Sequence, residues 1–128
     1  MNMDSIKKQL TFFGSALNIR NRRNDIIASN IANSATPNYK ARDINFLDEF
    51  KKVTNIGDIK TTHTNHIPTK NYNISGKAFY RDPIIASLDG NTVELSVEQM
   101  QFAENTMRYR TTLNFLNGKI TKMLTAIR

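Results

Sequence analysis

The sequence of 128 residues contains no cysteine, only three prolines and five glycines, and no long apolar run. Without cysteine, the chain forms neither a disulfide framework nor a thiolate metal site. No apolar stretch approaches the roughly 20 residues that a membrane-spanning helix needs. The N-terminal stretch also lacks a continuous apolar segment followed by a small-residue cleavage site, so we expect no cleaved signal peptide.

Patterns typical of catalytic or metal sites are also missing. His63 and His66 lie three residues apart in an Asn- and Thr-rich stretch, but no Cys, Asp or Glu stands at a useful spacing beside them. Asp48 and Glu49 are adjacent and would point in different directions on a helix, which makes a poor acid–base pair. No phosphate-binding loop or nucleophile motif occurs. We expect no enzyme activity, no metal, no cofactor and no small-molecule substrate.

The formal net charge of +7 favours acidic partners. A basic protein can bind nucleic acid when its cations share one surface. The densest cluster is Arg20, Arg22 and Arg23, and the other cations are scattered along the chain. A basic helical nucleic-acid-binding module is therefore the alternative interpretation, and its binding would weaken steeply with salt.

The N-terminal segment has the period of an amphipathic helix. Its residues follow alternating steps of four and three, which place side chains on one helix face. Arg20 and Asn24 interrupt this stripe, and polar residues at such positions fix register. Asn33, Ser34 and Pro37 predict the end of the helix, because the residue before a proline avoids the α region. The N-terminal stripe consists of Ile6, Leu10, Phe13, Leu17, Arg20, Asn24, Ile27 and Ile31.

The C-terminal segment has the same period over more than four heptads. Ser96 and Gln99 match a capping box, which predicts the helix start. Gly118 lies off the stripe and weakens the helix only modestly. The C-terminal stripe consists of Leu95, Gln99, Phe102, Thr106, Tyr109, Leu113, Leu116, Ile120, Met123 and Ile127.

Between the stripes, residues 38–94 lack a sustained period. Residues 46–53 predict a short helix, and residues 60–66 and 77–81 predict short strands. We therefore predict a mainly α fold in which long N- and C-terminal helices pack as an antiparallel, coiled-coil-like hairpin, with an irregular, partly β middle segment. The predicted divisions are residues 1–36 for the N-terminal helix, 37–94 for the middle segment and 95–128 for the C-terminal helix.

Both stripes are wider than a two-helix contact requires. A buried apolar side chain contributes about 1.5–3 kcal/mol, whereas ordering costs about 1.5 kcal/mol per residue. A lone hairpin is therefore marginal, and we predict a homo-oligomer whose isolated subunit is partly disordered at its ends. The additional apolar residues beside the stripes are Phe12, Ile19, Ile26, Met100, Phe115 and Leu124.

The segment after the N-terminal stripe, residues 29–40, reads SNIANSATPNYK. It resembles the signature of the flagellar axial proteins, the family that builds rod and hook. Residues 41–46, 88–94 and 101–105 are similar to the B-type proximal rod subunits of that family. One departure is Asn38, where the family has glycine, but asparagine also tolerates the positive φ of a type II turn. The motif residues are Asn30, Ile31, Ala32, Asn33, Thr36, Pro37 and Tyr39.

The motif also has a physical interpretation of its own. Asn30 and Asn33 carry amides about one turn apart, and amides can bond carbonyls left unpaired at a helix end or on an adjacent subunit. The Thr36–Pro37 pair stops the helix, and Tyr39 offers a ring and a hydroxyl. We predict that this segment fixes the angle at which the chain leaves the helix, and so how subunits stack.

The resemblance implies a structural subunit of the proximal rod of the flagellar basal body, which self-assembles with other rod proteins into a shaft that transmits torque. It implies a periplasmic rod location and type III export without a cleaved signal peptide. Implied partners are other rod subunits, a rod-to-ring adaptor protein, the membrane ring and the export gate, with no nucleic acid. The expected assembly faces comprise Leu10, Phe13, Leu17, Ile27, Phe102, Tyr109, Leu113, Leu116 and Ile120.

Overall fold

The computed structural model of the chain describes residues 3–55 and 77–127. Its elements in order are α1 (Met3–Ala32), β1 (Arg42–Ile44), α2 (Phe46–Asn55), β2 (Ala78–Tyr80) and α3 (Leu95–Ile127). The mainly α fold with two long terminal helices and a short β ribbon is thus confirmed. The strand predicted at residues 60–66, with its two histidines, lies outside the described residues. Within the described ranges, no helix has the length and hydropathy needed to cross a bilayer.

Helices α1 and α3 form an antiparallel hairpin, as predicted. Near one end, the amide of Asn30 donates to the carboxylate of Glu98 at 3.2 Å. Near the other end, Lys119 donates to Gln9 at 3.3 Å. Because the residue numbers fall along α1 as they rise along α3, the two helices run in opposite directions. We call the first end the turn end and the second the free end.

The two strands pair in an antiparallel ribbon that packs on α1. Arg42 lies opposite Tyr80, and Ile44 lies opposite Ala78. A two-stranded ribbon alone is marginally stable in water. Ile44 is buried and so attaches the ribbon to the core, as does Ala41, which precedes β1.

Helix α2 begins with a cap and ends near the free end of the hairpin. The side chain of Asn45 accepts a hydrogen bond from the backbone N–H of Leu47 at 3.1 Å, as an N-cap residue does. The ring of Phe50 meets that of Phe12 with centroids 4.8 Å apart, and the guanidinium of Arg20 lies 4.1 Å from the ring centroid of Phe46. The middle segment therefore covers one side of α1.

The apolar core is small and centred on α1. Among the described residues, the buried apolar side chains are Ala16, Ile19, Ile27, Ala41 and Ile44. A comparable number of polar side chains are buried beside them. Polar contacts therefore carry much of the specificity of this fold.

On the N-terminal half of α3, the packed face differs from the predicted stripe. Glu98 and Asn105 are the buried residues there. At about 100° per residue, they lie about 40–60° around the helix from Phe102. Phe102 stays 36% exposed at the edge of this contact, and Ile120, in the C-terminal half of α3, stays 38% exposed. The cause is that α1 presents polar groups at this level, and polar side chains of α3 meet them.

The start of α3 also differs from the sequence prediction. The helix begins at Leu95, so Ser96 lies inside the first turn and not at the cap. The backbone N–H of Glu98 bonds the carbonyl of Glu94 at 2.9 Å, which closes that first turn. The predicted capping box at Ser96 and Gln99 is therefore wrong.

The additional apolar residues divide into two groups. On α1, Ile19 is fully buried and Phe12 contacts α2. On α3, Met100, Phe115 and Leu124 are all more than half exposed. The chain therefore covers the extra apolar surface of α1 in part, with Phe12 still 45% exposed and Ile26 half-buried, and leaves that of α3 open.

Candidate functional site: the polar junction at the turn end

The end of α1 is closed by the side chains of its own motif. The amide of Asn33 donates to the carbonyl of Ser29, one turn earlier, at 2.8 Å. The hydroxyl of Thr36 then donates to the side-chain oxygen of Asn33 at 3.2 Å. These bonds satisfy groups that a helix end leaves unpaired. Pro37 is exposed and follows the last helical residue, Ala32, by five positions.

Asn30 is the central residue of the site and is fully buried. Its amide N–H groups donate to the carbonyl of Arg42 at 2.7 Å and to the carboxylate of Glu98 at 3.2 Å. Its oxygen accepts from the backbone N–H of Arg42 at 3.1 Å and from the hydroxyl of Tyr39 at 3.3 Å. All four hydrogen-bonding positions of the amide are therefore used. One side chain thus joins α1, β1, α3 and the motif.

The chain reverses direction at Asn38. Its φ is 60°, and the N–H of Tyr39 bonds the carbonyl of Thr36 at 3.3 Å. A positive φ at the third position is the mark of a type II turn. Asn38 therefore adopts the positive φ predicted for this position, where the family has glycine.

Asn91 ties this turn to the segment before α3. Its buried amide lies within hydrogen-bonding distance of three carbonyl oxygens, at 3.1, 2.9 and 3.0 Å. Those carbonyls belong to Asn33, Ser34 and Thr36. The carbonyls at the end of α1 therefore receive their donor from a residue close to the start of α3.

Gly90 lies against the same turn, and we expect Gly90→Ala to destabilise the protein by at least 1–2 kcal/mol, about the cost of a left-handed conformation in a non-glycine residue. Its φ is +72°, and an added Cβ would lie 2.6 Å from the side-chain oxygen of Asn38. Adding Asn38→Gly removes the clash but not the strain, so the double variant recovers part of the loss. Urea unfolding of the single and double variants measures the cost of the clash and the cost of the backbone strain.

The matched control is Gly118→Ala, because a Cβ there meets nothing within 4 Å. We expect this control to gain about 0.5–1 kcal/mol from helix propensity. Equal effects at Gly90 and Gly118 would contradict a constrained turn.

Four charged side chains complete the junction. Arg23 binds Asp43 with two parallel bonds of 2.8 and 2.9 Å, and it also reaches Gln101 at 2.9 Å. Arg81 lies 3.0 Å from Glu98 and 3.8 Å from Asp43. The hydrogen bond to Asp43 raises the pKa of Arg23 above its ordinary value. Two nearly buried carboxylates are thus each met by an arginine, which the interior requires. We call this set the polar junction: Arg23, Asn30, Asn33, Tyr39, Asp43, Arg81, Asn91, Glu98 and Gln101.

A second polar contact lies further along the hairpin. The amide of Asn105 donates to the carbonyl of Arg20 at 2.8 Å and to the side chain of Asn24 at 2.7 Å. Burial, followed by the nearby cations of Arg108 and Arg23, lowers the pKa of Arg20 below its ordinary value. Arg20 and Asn24 interrupt the apolar stripe in the sequence, and here they meet a polar residue of α3 and fix the register.

The structure brings part of the sequence-predicted site together. Asn30, Asn33 and Tyr39 share one hydrogen-bonded cluster. Ile31 is half-buried, whereas Ala32, Thr36 and Pro37 are exposed. The residues expected on assembly faces lie along the hairpin: Ile27 is fully buried, Phe102 and Ile120 are partly exposed, and the rest are half-buried (Leu10, Phe13, Leu17, Tyr109, Leu113 and Leu116).

Comparisons with known proteins identify the family of this chain. The family model described as "Flagella basal body rod protein" matches residues 10–40, the span of most of α1 and the motif. A flagellar basal body rod protein FlgB from Cereibacter sphaeroides is 48% identical, with 98% of each chain covered. The chain belongs to the FlgB family of flagellar basal body rod proteins. FlgB proteins of Escherichia coli (strain K12) and Salmonella typhimurium (strain LT2) are each 39% identical over 98% of this chain and 96% of their own.

Several junction residues of this FlgB-family chain were missed from sequence. Asp43 and Asn91 lie in the stretches 41–46 and 88–94, which resemble rod subunits, but the sequence predicted no role for either side chain. Glu98 and Asn105 are seven residues, or two helical turns, apart, so both lie on one line beside the C-terminal stripe. That spacing, together with Arg20 and Asn24 in the N-terminal stripe, is the signal that could have pointed to a polar packing face.

Proposed function

We propose that this FlgB-family protein, a structural subunit of the flagellar basal body rod, lies in the proximal rod and self-assembles there with other rod proteins into a shaft that transmits torque. The observation that carries the proposal is the contrast between two faces of α3. One face is held to α1 by the polar junction and Asn105, whereas other faces keep large apolar side chains exposed along the helix.

The exposed apolar residues of α3 suit contacts with neighbouring subunits. Met100 and Met107 are 64% and 70% exposed, and Phe115 is 64% exposed. At about 100° per residue, Met107 lies within about 20° of Met100 and Phe115 within about 60°. Met100 and Met107 lie about 140–160° from buried Asn105 and therefore point away from α1, whereas Phe115 lies about 80° from it, to one side. Phe102 and Ile120 lie on another side, so α3 has apolar surface for more than one neighbour.

A torque-bearing subunit has to keep its shape under load. Close-packed interiors deform little, and saturated polar networks add a unique geometry because their bonds are directional. The polar junction supplies such a polar network at the point where α1, α3 and the ribbon meet. We propose that it fixes the exit angle from α1, so that the motif residues Asn30, Asn33 and Tyr39 determine how subunits stack.

We further propose that residues 1–36 and 95–128 form the rod core and that residues 50–94 face outward or meet adjacent components. The proposed partners are other rod subunits, the rod-to-ring adaptor protein, the membrane ring and the export gate. The proposed location is the periplasmic rod, reached by type III export without a cleaved signal peptide. Association with basal body components follows from the family; the individual partners are the proposal.

The basic residues do not support the nucleic-acid alternative. Of the densest cluster, Arg23 is bound to Asp43 and Arg20 lies over Phe46. Arg22 alone of the three is exposed. A phosphate-binding surface needs its cations free on one face, and two of these three serve the fold.

We expect the double variant Met107→Ala, Phe115→Ala to fold but to assemble poorly. Alanine keeps the helix propensity of α3 high, so the circular dichroism of the purified protein should be unchanged. Each side chain lost from a neighbour contact costs about 1.5–3 kcal/mol, which lowers the yield of isolated basal bodies at least about tenfold in cells lacking the normal protein. Swimming motility of these cells should be lost as well.

The matched control is Arg110→Ala, Asn114→Ala, which removes exposed polar side chains from the same stretch of α3. This control should assemble normally. Normal rods from the Met107 and Phe115 variant would exclude this face from assembly.

A further inference from the structure

The half of the hairpin toward the free end carries charge of almost one sign. Residues 1–24 and 107–128, whose helical parts form this half, contain ten lysines and arginines and one carboxylate, Asp4. Helix α2 packs here through Phe50, but its two carboxylates are matched by two lysines, so it adds no net charge. The ten cations are Lys7, Lys8, Arg20, Arg22, Arg23, Arg108, Arg110, Lys119, Lys122 and Arg128.

Three of these cations and one aromatic ring share one side of α3. Arg108, Phe115, Lys119 and Lys122 follow steps of seven, four and three, which is a heptad spacing. At about 100° per residue they lie within about 60° of one another, and at 1.5 Å per residue they span about 21 Å of the helix. All four side chains are exposed. We call these four residues the basic stripe.

The basic stripe borders an open apolar groove of about 390 Å³ at the free end, which we call the free-end groove. The rings of Phe12 and Phe13 line it, together with Gln9 and the two cations Lys8 of α1 and Lys119 of α3. Lys119 donates to the side chain of Gln9 at 3.3 Å. Within the described part of the chain, Lys8, Lys119 and Lys122 have no carboxylate partner. The surface therefore offers apolar rings flanked by free positive charge.

We propose that the free-end groove and the basic stripe bind an acidic, amphipathic helix of a different basal body protein. The inference rests on the proposed function and assigns one neighbour of the subunit by its chemistry. An amphipathic helix lays its apolar face into a groove, here against Phe12 and Phe115. Its flanking carboxylates would meet Lys8, Lys119 and Lys122, as charges beside a helix seam do when they select a partner. The length of the basic stripe, about 21 Å, matches about four turns of such a helix.

A second copy of this chain does not supply an acidic face. Its buried carboxylates are already bound by cations of the same chain. The other carboxylates engaged within the chain are Glu94, on the N–H of Ile84, Glu104, paired with Arg108, and Asp89, beside Lys40. Those left exposed lie on three separate parts of the chain: Asp25, Asp48 and Asp82.

The segment 56–76 of the same chain has the wrong charge for this surface as well. It contains one carboxylate, Asp58, and two lysines. Packing one basic stripe against the basic stripe of another copy would set cation against cation, which is unfavourable. Charge complementarity therefore favours a partner with a sequence of its own.

Zero-length cross-linking reads this contact directly. A carbodiimide joins a lysine amine to a carboxylate that touches it, forming an amide with loss of water and adding no spacer. We would treat isolated basal bodies with a water-soluble carbodiimide and identify the joined peptides by mass spectrometry. The expected result is Lys8, Lys119 or Lys122 joined to aspartates or glutamates, three or four residues apart, in a different basal body protein. Cross-links confined to peptides of this sequence, or none, would overturn the proposal.

Charge reversal tests whether the contact matters for assembly. The triple variant Lys8→Glu, Lys119→Glu, Lys122→Glu should keep its circular dichroism, because these side chains are exposed. In cells lacking the normal protein it should lower the yield of isolated basal bodies at least about tenfold, since three pairs of about 0–1 kcal/mol each become repulsions.

The matched control reverses three exposed cations of the same half that lie outside the groove and the basic stripe: Lys7→Glu, Arg22→Glu, Arg110→Glu. Its net charge is identical, and its yield should stay within about twofold of normal, because exposed charges away from a contact contribute little. Equal losses in the two triple variants would reduce the effect to net charge and overturn a specific site.

The outcomes distinguish the contact from the function. A full yield of rods from the Lys8, Lys119 and Lys122 variant would overturn the docking site and leave the rod assignment intact. Binding of the purified protein to vesicles of anionic phospholipid, with no carboxylate cross-link in basal bodies, would give the basic stripe to a membrane surface and also overturn it. Absence of the unmodified protein from isolated rods would overturn the proposed function itself.

Discussion

Asp43→Ala should lower the free energy of unfolding by about 3–5 kcal/mol, the usual cost of removing one partner from a buried charge pair. Asp43 is 5% exposed, and its carboxylate receives two bonds from Arg23 and one from the backbone N–H of Ile44 at 2.7 Å. Without it, Arg23 and the nearby Arg81 lose an anion that offsets their desolvation. A domain of ordinary stability has only about 5–15 kcal/mol in total, so this single change removes a large share.

The matched control is Glu104→Ala, which breaks the pair between Arg108 and Glu104, whose side chains are 61% and 54% exposed. An exposed pair contributes about 0–1 kcal/mol, so this variant should unfold close to the unmodified protein. Urea titrations followed by circular dichroism compare the two at one protein concentration. Equal midpoints for both variants would mean that the polar junction is not what holds the ribbon and the hairpin together.

The three helices and β2 were predictable because their signals are local, whereas β1 (Arg42–Ile44) was not predicted. The heptad periods gave two long helices, residues 46–53 gave α2 and residues 77–81 gave β2. The turn at Asn38 was also predictable, since only a few residue types accept a positive φ. A period identifies a face of a helix, however, and does not state what meets it. The N-terminal half of α3 therefore packs through Glu98 and Asn105, about 40–60° away from Phe102 on its predicted stripe.

The polar junction depends on partners that are distant in sequence. Asn91 bonds the carbonyl of Asn33 across 58 positions, and Asn30 bonds Glu98 across 68. Nothing in the local pattern around Asn30 reveals four simultaneous partners. The motif was recognised through its resemblance and its amide chemistry, whereas its charged half, Arg23 with Asp43, required the fold.

The second large effect expected is on the amide protons of α3. In the isolated subunit, residues 107–127 carry exposed Met107, Phe115 and Leu124, and few tertiary contacts oppose local opening there. In the assembled rod, neighbours bury these side chains at about 1.5–3 kcal/mol each. Exchange should therefore slow at least about tenfold on assembly over this stretch, whereas residues 95–105, held by the polar junction, should change less.

Amide hydrogen exchange of dilute subunit and of isolated rods, compared peptide by peptide, tests most directly whether sister molecules complete the helices. We predict fast exchange along residues 107–127 of the free subunit and slow exchange there in the rod. Uniformly slow exchange along residues 107–127 of the free subunit, unchanged by assembly, would contradict the account, because the chain would then be complete by itself.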